Sequence, residues 1–447
     1  TSRALLAETN NDQATTDDRV FHRAPHVPIA VRASGATIET VDGRSFLDGA
    51  GGAIACSIGH GRSEVAAAMA AQAGRIAYVH ASQFETEPLH GFARRLASVV
   101  PVDDCRVFPV SGGSEANESA LKLARSYHLA RGDVERHIVL ARGGAYHGNS
   151  RGVLDASDRV GLTAGYEPWL GRTVRVPSVQ PYRDPRSGAE HAEEIERVIL
   201  DVGPDRVAAF IAEPVAGATL AAAVPPADYW PAVAEVCRRH GVLLIADEVM
   251  TGFGRTGRWF GVDHWGVRPD ILTSGKGVSS GYWPLGVMVV SGEVHDTVDR
   301  AGNFAHGFTW SHHPVGAAVA ETVLDVIERE HLVARAASLG AVVHERLTDE
   351  FTDHPSVGDV RGLGLLRAVE FVADRSTRAP FDRSERVCER VVAAAFERGL
   401  TVYPCTSAVD GRVGDAVLLG PPLSTTDAEL ATMLDRLVEA VGAVLPA

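Results

Sequence analysis

VLLIADEV, residues 242–249, is a short apolar run with two carboxylates near its end. A run without alternating polar residues is typical of a strand that is buried on both faces of a sheet. Helical stretches separate it from similar runs, namely RVFPV (106–110), HIVLA (137–141), VAAFIAEP (207–214), DILTSGK (270–276) and LGVMVV (285–290). Strands that alternate with helices predict an α/β fold with a mostly parallel central sheet and flanking helices. Ligands bind such sheets at the carboxyl ends of the strands, where Asp247 and Glu248 stand.

The large domain predicted from these runs lies near residues 60–320. Upstream, ETVDGRSFLD (39–48) predicts a hairpin with an Asp-Gly turn. Residues 63–74 and 86–99 predict amphipathic helices, because their apolar residues recur at helical spacing.

The last third of the chain has a different texture. From about residue 315 a long helical stretch is followed by the strand candidate RGLGLLRAVEFV (361–372), a helix over 384–398, the strand-like LTVYP (400–404) and AVLLG (416–420), and a final helix over 426–444. Helices and strands no longer alternate regularly here, which is typical of an α+β unit. We therefore expect a smaller, discontinuous α+β domain built from residues 1–59 and 321–447.

The composition of the 447 residues excludes some classes of partner. The net charge of −14 opposes binding to nucleic acid or to an anionic membrane surface. The chain has no run of 18 apolar residues, so we expect no membrane span. The polar start of the chain (1–18) lacks the apolar core of a signal peptide. The five cysteines are scattered and show no C-x-x-C spacing. We therefore expect neither a disulfide framework nor a structural metal site, and a cytoplasmic location.

Three segments that follow strands carry groups suited to a flat, phosphorylated ligand. SGGSEANESALKLAR (111–125) opens a helix whose free N–H groups and dipole favour an anion such as phosphate, although a plain helix cap is the alternative. Tyr146 in AYHG could stack on a flat ring or be an ordinary loop tyrosine. Asp247 could pair with a cationic ring nitrogen, hold a metal or form a structural ion pair. Further metal ligands at a suitable spacing are not found nearby.

A fourth segment, SGK (274–276), places a lysine between glycines directly after a strand. The chain has 43 basic residues, of which only Lys276 and Lys122 are lysines. An amine, unlike a guanidinium, can lose its proton and form a Schiff base with an aldehyde, whereas the alternative is a surface lysine. Together the four segments favour a phosphorylated, flat, cationic-ring aldehyde bound through lysine, which describes pyridoxal 5'-phosphate.

The motifs of this chain resemble those of the class III (omega) aminotransferases, a family of fold-type-I pyridoxal-phosphate enzymes. The resemblance runs from about residue 25 to 445. Its motifs are GHGRSEVAAAMAAQ (59–72), SGGSEANESALKLAR (111–125), AYHG (145–148), AEPV (212–215), ADEVMTGFGRTG (246–257), SGKG (274–277), GFTWSHHPVGAA (307–318) and GPPL (420–423). The acid-to-lysine segment is the most specific of them.

The resemblance implies roles for four residues around the cofactor ring. Lys276 would hold the aldehyde as a Schiff base. Asp247 would keep the pyridine nitrogen protonated, which makes the ring an electron sink. Val249 and Tyr146 would pack on opposite faces of the ring.

The resemblance also implies contacts at the edges of the cofactor. Gly113 and Ser114 would donate hydrogen bonds to the phosphate, and Glu213 would lie on the side of the phenolic oxygen. Thr309 would reach the phosphate of the neighbouring subunit's cofactor, which requires a homodimer with shared active sites.

The substrate side of the site departs from the family pattern. Many relatives have an aromatic residue in the segment that matches LDGAGGAIACSIGHG (47–61), where Ile54 is the nearest match here. An aryl-amine preference is therefore in doubt, and Phe84 could supply part of the wall. Arg412 is the nearest candidate for the mobile arginine that binds a substrate carboxylate in several relatives, and a solvated loop arginine is the alternative.

The function implied by the resemblance is transamination between an amine or amino-acid donor and a keto acid, ketone or aldehyde acceptor, by a ping-pong mechanism. A racemase, aminomutase or decarboxylase on the same fold is the main alternative, because the motifs around the ring do not separate these reactions. A binding protein without activity would be expected to have lost Lys276 or Asp247, and both are present. A nucleotide-dependent oxidoreductase is disfavoured because SGGS lacks the G-x-G-x-x-G frame.

Overall fold

The computed structural model describes residues 19–21, 23–24, 27–302 and 304–445, so the polar start of the chain lies outside the described residues. The strands are β1 (Ala30–Ser34), β2 (Thr37–Thr40), β3 (Ser45–Asp48), β4 (Arg106–Val110), β5 (Ile138–Arg142), β6 (Thr173–Val176), β7 (Val207–Ala212), β8 (Leu243–Asp247), β9 (Ile271–Ser274), β10 (Gly286–Val290), β11 (Val357–Leu363), β12 (Leu366–Phe371), β13 (Leu400–Thr401), β14 (Tyr403–Cys405) and β15 (Asp415–Leu419).

The helices are α1 (Gly51–Ile54), α2 (Ser63–Arg75), α3 (Glu87–Ala97), α4 (Gly113–Ala130), α5 (Arg151–Ala156), α6 (Val160–Thr163), α7 (Gly188–Val202), α8 (Tyr229–His240), α9 (Gly292–Arg300), α10 (Pro314–Arg329), α11 (Leu332–Glu350), α12 (Val387–Glu397) and α13 (Asp427–Val444). In the part of the chain that is described, every helix falls short of the length and hydropathy that a bilayer span would need.

The central sheet has seven strands in the order β4-β10-β9-β8-β7-β5-β6. Strands β5 to β9 pair in parallel, and β10 alone runs antiparallel to both of its neighbours. Every residue of β7 and β8 is buried, as their continuous apolar runs predicted. The expected mostly parallel α/β sheet is therefore confirmed. The sequence did not indicate β6, because this edge strand is short and only partly buried.

Two four-stranded sheets flank this core, in the orders β1-β2-β3-β13 and β11-β12-β15-β14. The hairpin expected over 39–48 is present as β2 and β3. Strand β13 pairs in parallel with β3, so the two ends of the chain share one sheet. This arrangement agrees with a second unit made from both chain ends, while the boundaries at residues 59 and 321 stay predictions.

Two predicted elements are divided by backbone geometry. The segment expected as one strand, RGLGLLRAVEFV, forms the antiparallel pair β11 and β12, and Gly364 turns between them with a φ of 53°. The long helical stretch beyond residue 315 breaks into α10 and α11 at His331, which has a φ of 52°. A left-handed residue ends a right-handed helix, and a lone histidine gives little warning of it in the sequence.

Candidate active site

A cavity of about 410 Å³ lies at the carboxyl ends of the central strands. Its lining combines residues that follow five strands of the sheet: Ser111, Gly113 and Ser114 after β4, Tyr146 and His147 after β5, Glu213 and Val215 after β7, Asp247 and Val249 at the end of β8, and Lys276 after β9. The sequence placed ligand chemistry at this edge of the sheet, and the structure brings Lys276, Asp247 and Tyr146 into one cavity.

Asp247 is held by a buried hydrogen-bond network. Its Oδ2 accepts a hydrogen bond from Asn117 Nδ2 at 2.8 Å and lies 2.7 Å from His147 Nδ1, while its Oδ1 accepts from Val249 N at 3.0 Å. Thr273 in turn donates to Asn117 Oδ1 at 2.5 Å. This network fixes the carboxylate at the floor of the cavity.

Two members of this network, Asn117 and Thr273, were not identified from the sequence. Asn117 lies four residues after Gly113 on α4, so both face the cavity, but such spacing is common in any helix. His147 was not among the site residues expected from the sequence, and the structure makes it a partner of Asp247. Its Nε2 is buried and finds no hydrogen-bond partner among the described residues.

Lys276 combines burial with a strained backbone. Its φ of 43° lies in the left-handed region, which costs a non-glycine residue about 1 kcal/mol. Burial lowers the pKa of the amine from 10.5 to about 8, and the charges of Asp247 and Glu213 oppose that shift. The site therefore holds an amine that loses its proton more readily than an exposed lysine.

The two neighbouring carboxylates at the end of β8 have different roles. Asp247 faces the cavity, whereas Glu248 points away from it and accepts hydrogen bonds from Gly261 N and Val262 N at 2.8 Å each, and from Thr251 Oγ1. Burial raises the pKa of Glu248 to about 7. Glu248 therefore holds the loop after β8, and Asp247 is the carboxylate of the two that faces the cavity.

Glu213 holds the loop that carries Tyr146. Its Oε1 accepts a hydrogen bond from Tyr146 N at 2.8 Å and its Oε2 accepts from Gly217 N at 2.7 Å. The carboxylate is fully buried, and burial raises its pKa. Both of its oxygens are thus occupied by backbone N–H groups, so Glu213 positions the loops on either side of the cavity.

The start of α4 has the form of an anion site. The first N–H groups of a helix have no partner within it and lie at the positive end of the helix dipole. Gly113 is required for space, because a Cβ there would lie 2.9 Å from both methyl groups of Val249. Ser111 Oγ is buried without a hydrogen-bond partner in the described ranges. The free N–H groups at the start of α4, the hydroxyl of Ser111 and the space left by Gly113 together fit a phosphate group.

The residues expected on the substrate side lie elsewhere in the described structure. Ile54 is 2% exposed and packs in an apolar cluster with Val215 and Ala221. Phe84 is 62% exposed, and Arg412 is exposed on a loop. None of Ile54, Phe84 and Arg412 is among the described residues that line the cavity. Their proposed contacts with substrate stay predictions.

Thr309 lines a separate cavity of about 630 Å³, together with Phe308 and His312. Its carbonyl accepts a hydrogen bond from the hydroxyl of Tyr78 at 2.9 Å. The single chain therefore does not bring Thr309 to the cavity that holds Lys276, and the expected contact with a neighbouring subunit's cofactor stays a prediction.

One group of possible metal ligands lies in the C-terminal part, where atoms of Cys388, Glu389 and Asp415 come within 4.8 Å of one another. The guanidinium of Arg383 lies 3.4 Å from Asp415 Oδ1 and pairs with both oxygens of Glu389. A cation is thus already paired with these carboxylates, and none of the three residues lines the cavity with Lys276.

Comparison with known proteins places the chain among aminotransferases. The model of the family described as aminotransferase class-III matches residues 21–441. The diaminobutyrate–2-oxoglutarate transaminase of Halomonas elongata is 36% identical, and the match covers 98% of this chain and 97% of that protein. An (S)-enantioselective omega-transaminase from Thermomicrobium roseum superposes with a TM-score of 0.89 at 38% identity, covering 94% of this chain and 93% of that one. An amine transaminase from an uncultivated Pseudomonas species, solved in its PLP-bound form, has a TM-score of 0.89 at 36% identity, covering 96% and 99%.

Proposed function

The chain belongs to the class III aminotransferase family and is a transaminase of that pyridoxal-phosphate-dependent family, and we propose that Lys276 is the residue that holds the cofactor. One observation carries this proposal: a buried lysine amine and a buried aspartate line the same cavity, at the ends of two neighbouring strands. When bound, pyridoxal phosphate supplies an aldehyde that takes up amino groups and a ring that accepts electrons.

The described residues fit such a group at both ends of the cavity. We assign the phosphate to the start of α4, where Gly113 and Ser114 present N–H groups beside the unpartnered Oγ of Ser111. The amine of Lys276 lines the same cavity. An anion cradle and an amine in one cavity are the two groups that a phosphorylated aldehyde requires.

We assign the ring to the space between these two ends. Asp247 would pair with the ring nitrogen, because the hydrogen bond from Asn117 holds its carboxylate at the floor of the cavity. Val249 and Tyr146 line the same space and would pack on the two ring faces. Glu213 supports this arrangement by holding the backbone N–H of Tyr146.

Proton transfer is the task of Lys276. Because burial lowers its pKa to about 8, an appreciable fraction of the amine is neutral close to physiological pH. A neutral Nζ can take a proton from the substrate carbon and return it to another atom on the same side. Asp247 and its hydrogen-bonded partners remain fixed during this transfer, so the carboxylate that would keep the ring nitrogen protonated is already in place.

The donor and the carbonyl acceptor would use the same cavity in turn, which is the basis of a ping-pong scheme. We propose an amine or amino acid as the donor and a small keto acid, ketone or aldehyde as the acceptor. The alternative reactions, those of a racemase, aminomutase or decarboxylase, would not transfer nitrogen between two substrates.

We also propose that the protein acts as a homodimer in a reducing cytoplasm. Support for the dimer comes from exposed aromatic residues near Thr309, where Trp310 is 57% exposed and Tyr78 is 36% exposed. Apolar side chains of this size are buried when a second copy covers them. Support for the compartment comes from the cysteines, all five of which are free. Sedimentation analysis of the purified protein tests the dimer.

A half-reaction tests the proposed function. With a donor amine alone, the bound cofactor should change from its yellow aldehyde form to the aminated form, and adding pyruvate or 2-oxoglutarate should restore the first spectrum. Borohydride reduction followed by peptide mapping should attach the cofactor to the peptide with Lys276 and leave the peptide with Lys122 unmodified. Attachment at Lys122, or a donor that leaves the spectrum unchanged, would contradict the proposal.

A further inference from the structure

A cavity of about 550 Å³ lies at the edge of the central sheet opposite to that of Lys276. Its lining includes Leu243, the first residue of β8, and Asp270, which directly precedes β9, whereas Lys276 follows the end of β9. Because β8 and β9 pair in parallel, this cavity lies at the amino ends of the strands. It shares no lining residue with the cavity that contains Lys276, so the two are separate places in the described structure.

Among the described residues that line this cavity, four are arginines, and all four already have partners. Three pair with carboxylates and one donates to main-chain carbonyl oxygens: Arg131 with Asp133 at 3.2 Å, Arg238 with Glu235 at 2.7 Å, Arg268 with Asp103 at 2.7 Å, and Arg136 with Val207 O at 2.8 Å and His240 O at 3.0 Å. An anion from solution would have to compete with these partners, so the arginines do not make the cavity an anion site.

Two carboxylates in the same lining, those of Asp270 and Glu293, form no ion pair with any residue in the described part of the chain. Asp270 Oδ2 accepts a hydrogen bond from Leu244 N at 2.7 Å, and its main-chain oxygen accepts from Ser291 N at 2.9 Å. The second bond places the start of α9, which carries Glu293, beside Asp270. Burial raises the pKa of the Asp270 carboxyl, and the charge of Glu293 adds to that rise. A cation between the two carboxylates would relieve their repulsion.

His128 supplies an acceptor that is independent of these carboxylates. It is 1% exposed and lines the same cavity. Its Nε2 lies 2.9 Å from Ala208 O, and a carbonyl oxygen can only accept, so Nε2 carries the hydrogen. Burial lowers the pKa of the imidazole, so the ring is neutral and Nδ1 offers a lone pair.

The Nδ1 atom of His128 lacks a donor. It is buried and has no hydrogen-bond partner among the described residues, and Asp133 Oδ2, 3.9 Å away, is itself an acceptor. A buried acceptor without a donor is unfavourable, and a group with two N–H bonds could donate to both atoms at once. This end of the cavity therefore also calls for an N–H donor from outside the chain.

Tyr127 separates the two groups of acceptors. Its hydroxyl donates to Glu293 Oε1 at 3.4 Å, and the centre of its ring lies 5.2 Å from that of His128. Apolar groups complete this part of the lining, since the buried Cys237 and Val242 contribute to it. A ligand that matches the cavity thus has a cationic N–H group at each end and a hydrocarbon chain between them.

We propose that this cavity is a second ligand site and that it binds an aliphatic diamine, with one ammonium group between the two carboxylates and the other at His128. Each ammonium group brings the N–H donors and the positive charge that its end of the cavity lacks. The hydrocarbon chain passes along the apolar lining. The inference goes beyond transamination and does not rest on it, because the residues that carry it lie outside the cavity of Lys276.

The test uses holoenzyme reduced with borohydride, in which the cofactor is fixed and an added amine cannot react with it. Calorimetric titration compares 1,4-diaminobutane with butylamine, which has one ammonium group, and with 1,4-butanediol, which has none. We expect the diamine to bind about tenfold more tightly than butylamine, because a second charge-assisted hydrogen bond is made, and the diol to show no binding. No saturable binding of the diamine, or equal binding of all three compounds, would overturn the inference.

Variants locate the binding. Asp270→Asn should weaken diamine binding by about tenfold or more, because it removes one of the two unpaired charges. Glu235→Gln is the matched control, since this carboxylate lines the same cavity but is already paired with Arg238, and E235Q should keep the affinity of the wild type. Unchanged affinity in D270N would place the diamine elsewhere and overturn the inference.

The comparison of the three compounds needs only the wild type, so it decides the question even if D270N does not fold. The outcome is also distinct from that of the proposed function. A wild-type protein without a reducible cofactor would contradict the assignment of Lys276, whereas diamine binding would still test the cavity around Asp270 and His128.

Discussion

The floor of the candidate site, around Asp247, and its mouth, around Tyr146, differ in how their side chains are held. At the floor, Asp247, Asn117, His147 and Thr273 bind one another across two strands, a loop and a helix, and all are buried. At the mouth, Tyr146 is half-buried, and its side chain forms no hydrogen bond with any of the described residues.

The difference separates what the site must keep from what it can change. A cofactor of fixed shape requires a fixed set of partners, and a buried network supplies them. Substrates vary, and residues on loops can be replaced without disturbing the sheet. Substitutions at the floor should therefore damage every reaction of the protein, whereas substitutions at the mouth should alter selectivity or stability.

Lys276→Ala should have the largest effect at the floor. Because the anchor and the base are lost together, we expect transamination to fall by about 10⁴-fold or more. Single-turnover rates with a donor amine measure this effect. Lys122→Ala is the matched control, since it removes the other lysine of the chain and should keep the wild-type rate. A K276A variant with a rate close to that of the wild type would show that the amine is not required.

Asp247→Asn should have the next largest effect on the rate. The amide keeps the size of the side chain but removes the charge that faces the cavity, so we expect proton removal to slow by about 10³-fold. Glu248→Gln is the control, because this neighbour points away from the cavity. E248Q should keep its activity and lose about 1–3 kcal/mol of stability in denaturant unfolding, since an amide cannot accept all the hydrogen bonds that Glu248 accepts. Similar rate losses in both variants would contradict the division of roles between the two carboxylates.

His147→Gln should have an intermediate effect. The loss of one hydrogen bond to Asp247 should slow the reaction by about tenfold, because Asn117 still holds the same oxygen. If H147Q matches D247N in rate, the histidine and not the aspartate would be the essential group at the floor.

The pH dependence of chemical labelling at Lys276 tests the effect of burial at the floor without a measurement of catalysis. In the cofactor-free protein, the amine with a pKa lowered to about 8 is mostly protonated below pH 8 and mostly neutral above it. Only the neutral amine reacts with an acylating reagent, so labelling of Lys276 should rise through pH 8, about 2.5 units below an ordinary lysine. Mass spectrometry of the two lysine peptides measures both residues in one sample, with exposed Lys122 as the reference. A midpoint for Lys276 above pH 10 would contradict the effect of burial.

Ala222→Gly, a substitution in the loop after β7, should have the smallest effect of those proposed. Ala221 and Ala222 have φ values of 50° and 53°, which glycine adopts without strain. Arg361 holds this loop by donating to Ala221 O at 2.8 Å, so the conformation should persist in the variant. We expect stability to rise by about 0.5–1 kcal/mol in denaturant unfolding, with activity unchanged. Destabilisation would show that the left-handed geometry is not a source of strain.

The floor could be anticipated from the sequence because its chemistry follows directly from strands. The apolar runs of β8 and β9 locate the edge of the sheet, and Asp247 and Lys276 come at or just after their ends. The partners of Asp247 could not be anticipated in the same way. Asn117 and Thr273 belong to α4 and β9, and only packing of the helix on the sheet brings their side chains together.

The mouth was predicted less well, because it depends on loops. Ile54 was expected on the wall, but the turn around α1 directs it into an apolar cluster with Val215. Tyr146 lies on a loop that Asp158 and Glu213 hold through hydrogen bonds to its backbone. Local sequence patterns do not encode such contacts.

The parallel pairing of β3 with β13 has a consequence for how the protein folds while the ribosome synthesises it. Asp48 and Thr401, which meet there, are 353 positions apart. At a synthesis rate of roughly 5–20 residues per second, β3 emerges tens of seconds before its partner. During that interval the nascent hairpin has an open edge that can pair with other chains, so chaperones that shield early segments should raise the yield of this protein more than helpers that act after release.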